Sequence, residues 1–204
     1  MRHLLMMALA AVLLPAMGCS LDLGRQPAAP ARPAAPAAPQ ATQPTTKTAG
    51  RFHVAAAKAH FAWKNQPEHA HILDVRTPGE YIFVGHPPMA RNIPYMLLGR
   101  GYDARKKGPT WRANPEFVAE VAERYGKGDT LFVLCKSGER SGQAVADLRA
   151  AGYAKAYNIQ GGFEGGTLVP CNCPGGGMTA LDGWKAEGLV WTYDLDPELM
   201  YLAE

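Results

Sequence analysis

The sequence predicts an α/β domain, a doubly wound parallel sheet flanked by helices, and three observations carry that expectation. Short apolar runs, "HILDV" at 71–75 and "TLFVL" at 130–134, have the length and pattern of buried strands. Windows of helical period separate them. Strands that alternate with helices are joined by crossovers, which set the strands parallel and cover both faces of the sheet.

The elements follow in chain order. "RFHVAAAKAHFAWKN" (51–65) has a short extended start and then Val54, Ala57, Phe61 and Trp63 at loosely helical spacing. "HILDV" is the first buried strand. "TPGEYIF" (77–83) opens on a threonine followed by proline, a helix start. "ARNIPY" (90–95) is a short extended piece stopped by Pro94. From Met96 to Pro115 the chain is rich in glycine and basic residues, and a long exposed loop is expected.

"NPEFVAEVAERYG" (114–126) reads as a helix, with Asn114 as N-cap, Pro115 at the first helical position and Gly126 past the end. "DTLFVLC" (129–135) is a strand buried on both faces. "SGQAVADLRAAGY" (141–153) places Ala144, Val145, Leu148 and Ala151 on one helix face before Gly152 stops it. "AKAYNI" (154–159) is another short strand.

These elements occupy one domain, residues 50–204. Residues 1–18 read as a signal peptide, with basic "MRH" ahead of the uncharged "LLMMALAAVLLPAMG". "AMGCS" then resembles the lipobox of bacterial lipoproteins, which implies cleavage before Cys19 and lipidation of its thiol. Ala16 stands where leucine is usual, so ordinary cleavage to a soluble periplasmic protein is the other reading. Residues 19–49 form a proline- and alanine-rich linker, a semi-stiff spacer suited to a tether. The expected location is the periplasm, with an outer-membrane anchor through lipidated Cys19.

The chain has 204 residues, 47% of them hydrophobic and 19% charged, proportions that suit a globular domain. Its formal charge of +3 includes no long basic block, which argues against nucleic-acid binding. A modest positive balance suits small anionic substrates.

Chemistry concentrates in "LCKSGERSG" (134–142). In a parallel sheet ligands gather at the carboxyl ends of strands, and Cys135 sits at such an end. Ser137 and Gly138 permit a tight turn whose N–H groups point inward, and the helix expected near Ser141 adds partial positive charge. Lys136 and Arg140 bring full charges. Together these favour a thiolate and a bound anion beside it, whereas Cys135 alone would read as an inert core cysteine.

"CKSGERS" resembles the active-site loop of rhodanese-type sulfurtransferases. So do "ILDVRTPGEY" (72–81), "VGHPPMARNIP" (84–94), "YNIQGGFEG" (157–165) and "DGWKAEGLVW" (182–191), in the family's order. The resemblance spans about 54–191 and implies a rhodanese-like fold and a persulfide mechanism on Cys135. Lys136, Ser137, Gly138, Glu139, Arg140 and Ser141 would then bind the donor. A small anionic sulfur donor, a thiol or cyanide acceptor, and a sulfur-carrier or redox protein are the implied partners. No cofactor and no metal are expected.

The resemblance also makes Arg76 and Glu80 an ion pair across the first helical turn. Asp74 is an auxiliary site residue and His86 a hydrogen-bonding loop former.

Two stretches depart from the family. "GHPPMA" (85–90) carries Pro87 and Pro88, which stiffen that loop. "TLVPCNCPGGGMTA" (167–180) is long and holds Cys171 and Cys173. Either sulfur is a resolving thiol or relay for Cys135, or the pair belongs to a disulfide or surface loop; two ligands alone argue against zinc. Phosphatases and arsenate reductases also pair a thiolate with an arginine, but with five intervening residues. Here there are four, Lys136 to Glu139. A persulfide carrier without turnover needs the same thiolate and remains the non-enzymatic alternative.

Overall fold

The computed structural model describes residues 52–171 and 178–202. The signal segment, the linker with Cys19, and Cys173 lie outside them. The elements in order are β1 (His53–Val54), α1 (Ala56–Asn65), β2 (Ala70–Asp74), α2 (Pro78–Val84), β3 (Arg91–Asn92), β4 (Met96–Asp103) and β5 (Gly108–Ala113). They continue with α3 (Phe117–Ala122), β6 (Thr130–Leu134), α4 (Glu139–Ala150), β7 (Ala156–Ile159), β8 (Leu168–Pro170) and β9 (Met178–Ala180).

Five strands make the central sheet in the order β1-β7-β6-β2-β3, every pairing parallel. Successive strand residues face opposite sides, so each buried strand feeds two cores. Leu73, Leu131 and Val133 pack with Phe117 and Val121 of α3 and Ala144, Val145 and Leu148 of α4. Ile72, Phe132 and Leu134 pack on the other face with Ala56 and Ala59 of α1, Phe163 and Trp184. A one-residue slip of β6 would exchange these sets, which is why both-face burial fixes its register. The α/β fold with a parallel sheet flanked by helices is therefore as expected.

Helix α2 starts where the sequence places it. Thr77 is the N-cap, its hydroxyl accepts the Glu80 N–H at 3.2 Å, and the Glu80 carboxylate accepts the Thr77 N–H at 2.9 Å, a capping box. The C-terminal segment runs back along β3. His86 and Thr192 exchange backbone hydrogen bonds, and Asn92 N–H donates to the Leu199 carbonyl.

Three regions differ from expectation. Met96–Pro115 is chiefly an antiparallel hairpin, β4–β5, outside the central sheet. Asp103 organises its turn by accepting the N–H groups of Arg105 and Lys106, a local side-chain bond that a glycine- and lysine-rich stretch hides. Helix α3 begins at Phe117 rather than Pro115, because the Asn114 side chain accepts the Glu116 N–H in a turn of its own. Residues 168–170 and 178–180 pair as a second small hairpin, β8–β9.

Candidate active site

Cys135 follows β6 directly, and β6 lies between β7 and β2 in the middle of the sheet. Helix α4 begins at Glu139, two residues before the expected Ser141, so the loop is short and closes on a helix N-terminus. Gly138, at φ 95°, makes the reversal that a side chain would strain.

The loop's carbonyls are turned away from its centre. Cys135 O accepts the Phe163 N–H at 2.8 Å and Lys136 O the Glu164 N–H at 2.9 Å. Gly138 O accepts the Asn158 amide at 2.9 Å. With the carbonyls held outside, the N–H groups are left for the interior. Gly138 N–H points at Cys135 Sγ, 3.2 Å away. Among the described residues, the N–H groups of Lys136, Ser137, Glu139 and Arg140 have no acceptor.

Ser141 Oγ lies 3.3 Å from Cys135 Sγ and 2.7 Å from Asn158 Oδ1. A hydroxyl has one proton for these two acceptors. An anionic sulfur competes for it, so the Ser141 hydroxyl is a donor that thiolate formation can recruit. Asn158 is a positioning residue that the sequence reading missed; its place at the end of a short strand carried no chemical signal.

Arg140 is not free to reach into the loop. Its guanidinium forks onto the Glu80 carboxylate at 2.6 and 2.8 Å, joining α4 to α2. Burial pushes the Glu80 carboxyl up, but the Arg140 hydrogen bonds and the Thr77 donors outweigh it and hold the group at about 2. This corrects the expected Arg76–Glu80 pair. Arg76 turns inward instead and binds Asp74 at 2.6 Å, both side chains fully buried. Its Nη2 also donates to the Gly85 carbonyl, and its guanidinium lies 4.2 Å from the Phe163 ring centroid.

Asp74 therefore sits under the site as Arg76's partner and is not among the residues of the cleft. His86 shapes its loop as expected, stacked 3.6 Å from Tyr81 with Nδ1 at 3.0 Å from the Tyr81 carbonyl.

A cleft of about 590 Å³ opens over the sulfur. Cys135, Lys136, Ser137, Glu139 and Arg140 form its floor, and Met96, Lys106 and Trp111 come from the β4–β5 hairpin. The hairpin residues were not legible as site residues, because a stretch taken for a loop gives no hint of what it overhangs. Arg140 lies 5.6 Å from the Trp111 ring centroid, so the hairpin and the start of α4 meet there. Cys171 is disulfide-bonded, whereas Cys135 is a free, buried thiol.

A parallel sheet whose central strand ends at a buried cysteine, with the Gly138 N–H directed at its sulfur, defines the class of α/β domain. Residues 55–167 match the family model described as "Rhodanese-like domain", and the chain belongs to that family. It is similar to thiosulfate sulfurtransferase 16, chloroplastic, of Arabidopsis thaliana, 41% identical over 92 residues that cover 45% of this chain and 69% of that protein. It is also similar to senescence-associated protein DIN1 of Raphanus sativus, 38% identical over 91 residues. That match covers 45% of each chain, so the chain spans about half the radish protein's length. Among solved structures, Rv0390 from M. tuberculosis is 26% identical with a TM-score of 0.48, over 70% of this chain and 97% of that one.

Proposed function

We propose that the protein transfers sulfane sulfur from a small anionic donor such as thiosulfate to a thiophilic acceptor through a persulfide on Cys135. The observation that carries this reading is the Gly138 N–H directed at Cys135 Sγ, in a loop whose N–H groups at Lys136, Ser137, Glu139 and Arg140 have no acceptor among the described residues.

In the first step the Cys135 thiolate attacks the outer sulfur of thiosulfate. The bond from that sulfur to the sulfonate sulfur breaks, its electron pair leaves with sulfite, and Cys135 carries a persulfide anion. The inward N–H groups stabilise the negative terminal sulfur. Lys136, exposed at the rim and in no ion pair among the described residues, is the cation available to the sulfonate. Arg140, already forked onto Glu80, serves by fixing α4 and the loop's far end.

In the second step the persulfide anion takes up a proton from solvent, and an acceptor thiolate attacks its terminal sulfur. The sulfur–sulfur bond to Cys135 breaks and Cys135 leaves as thiolate. Cyanide substitutes for the acceptor in the test tube.

The test is steady-state sulfite release from thiosulfate with cyanide or a small thiol as acceptor. Turnover in the wild type and none in Cys135→Ser supports the transferase. Persulfide formation without turnover means a carrier. Neither, with hydrolysis of a phosphate ester or reduction of arsenate, overturns the reading. We further propose that the domain works outside the cytoplasm on a lipid tether at Cys19, supported by the basic and apolar leader and "AMGCS". Mass spectrometry of the Cys19 peptide from cells, with or without diacylglycerol on its sulfur, decides that point.

A further inference from the structure

The β4–β5 hairpin gives the cleft a wall that thiosulfate does not need. Residues paired across an antiparallel ribbon share a face, so Met96 with Ala113 and Leu98 with Trp111 lie on one side, up to the register shift between Leu98 and Tyr102. Met96 and Trp111 of that face line the cleft beside Cys135. Trp111 and Leu98 are 43% and 52% exposed, so the apolar face is uncovered beside the cleft. The hairpin's turn brings Lys106 to the same cleft.

Charge on the hairpin as a whole is one-sided. Arg100, Arg105, Lys106, Lys107 and Arg112 stand against Asp103 alone, and Asp103 is occupied by the turn's N–H groups. Neither Lys106 nor Lys136 has a carboxylate partner among the described residues. On the opposite side, Glu139 lines the cleft and Glu80 neutralises Arg140. Across the loop and helix side the two acids offset Lys136 and Arg140, so the uncompensated charge of the cleft is that of Lys106, and a carboxylate entering it is drawn toward the hairpin. The volume, about 590 Å³, falls in the range of roughly 300–1,000 Å³ that takes organic ligands.

Resting on the sulfurtransferase reading, we propose that the hairpin is an acceptor subsite for an organic thiol with an apolar body and a carboxylate. The body lies on Trp111 and Met96, the carboxylate on Lys106, and the thiol reaches the Cys135 persulfide. In that step RS⁻ attacks the outer sulfur of Cys135–S–SH. The product is RSSH, and the electron pair of the broken bond returns to Cys135 as thiolate. Lys106 and Trp111 are then specificity-determining residues that act on the acceptor and leave the sulfur chemistry to the loop.

The experiment isolates the second step. The domain is loaded with sulfur from thiosulfate, desalted, and mixed with para-(mercaptomethyl)benzoate, its neutral primary amide, or mercaptoethanol. The second-order rate constant for sulfur loss from Cys135 is read by intact mass. In the wild type the benzoate reacts fastest. Lys106→Gln lowers the benzoate-to-amide ratio about fivefold, the effect of one exposed ion pair. Trp111→Ala lowers both benzyl thiols relative to mercaptoethanol. If both variants keep all the wild-type ratios, or the wild type prefers the amide, the subsite is wrong while the persulfide reading stands. If the wild type takes no sulfur from thiosulfate, the sulfurtransferase reading fails first and the subsite with it.

Discussion

Glu80 shows at the scale of one residue how position in the sequence and position in space diverge. The family resemblance implies a pair between Glu80 and Arg76, four positions apart across the first helical turn. Yet Asp74 at the end of β2 is fully buried and needs a cation, so Arg76 goes inward and Glu80 reaches Arg140, sixty positions away. The places of Cys135, Lys136 and Gly138 in one tight loop were legible because they are neighbours in the sequence. Those of Glu80 and Asn158 were not, because each acts on a partner brought near only by folding.

The Glu80–Arg140 fork makes a pH prediction. The folded carboxyl titrates at about 2 against an ordinary value of 4.5, so the native state binds its proton less readily than the unfolded chain. The pair's stability is present in full above about 4.5 and is lost as pH falls toward about 2. Glu80→Gln therefore lowers the thermal midpoint most near neutral pH, and the gap from wild type narrows through that window. A gap that stays constant as pH falls contradicts the assignment.

Elements position these residues, and the turn after β7 is the clearest case. Gly162, at φ 60°, presses on the catalytic loop so closely that a Cβ there would stand 2.4 Å from the Cys135 carbonyl oxygen and 2.8 Å from that of Lys136. Those two carbonyls are the ones held outward by Phe163 and Glu164 N–H. Gly162→Ala thus strains the turn and pushes the loop at once, with an expected loss of about 1–3 kcal/mol in denaturant unfolding. It also slows persulfide formation. Unchanged stability would mean that the turn and the loop yield independently.

Strands and helices of the sheet were legible from apolar runs and caps, since burial on both faces leaves a continuous pattern. The two hairpins were not. Their strands are partly exposed and pair locally; β4 and β5 carry glycine and charge, and β8 and β9 are three residues each, so no periodicity marks them.

Across the whole molecule, the core and the specificity wall are separate constructions. Both hydrophobic clusters are built on the central sheet with α1, α3, α4 and the segment around Phe163 and Trp184. The β4–β5 hairpin contributes no buried residue to either cluster, and its ends are already joined, Asn114 N–H donating to Tyr95 O at 3.0 Å. Replacing residues 97–112 by a two-glycine link is expected to leave the thermal midpoint within a few degrees of wild type, an effect of about 1 kcal/mol or less. Persulfide formation persists in that variant and the preference for anionic acceptors disappears. A variant that fails to fold would show that the hairpin belongs to the core after all.

All of this rests on Cys135 accepting sulfur. The direct test is the intact mass of the chain from Gly50 onward, reduced, desalted and incubated with thiosulfate, beside Cys135→Ser. The account predicts one added sulfur on the wild type and none on the variant, with sulfite appearing in equal amount. Sulfur on both proteins, or on neither, contradicts it.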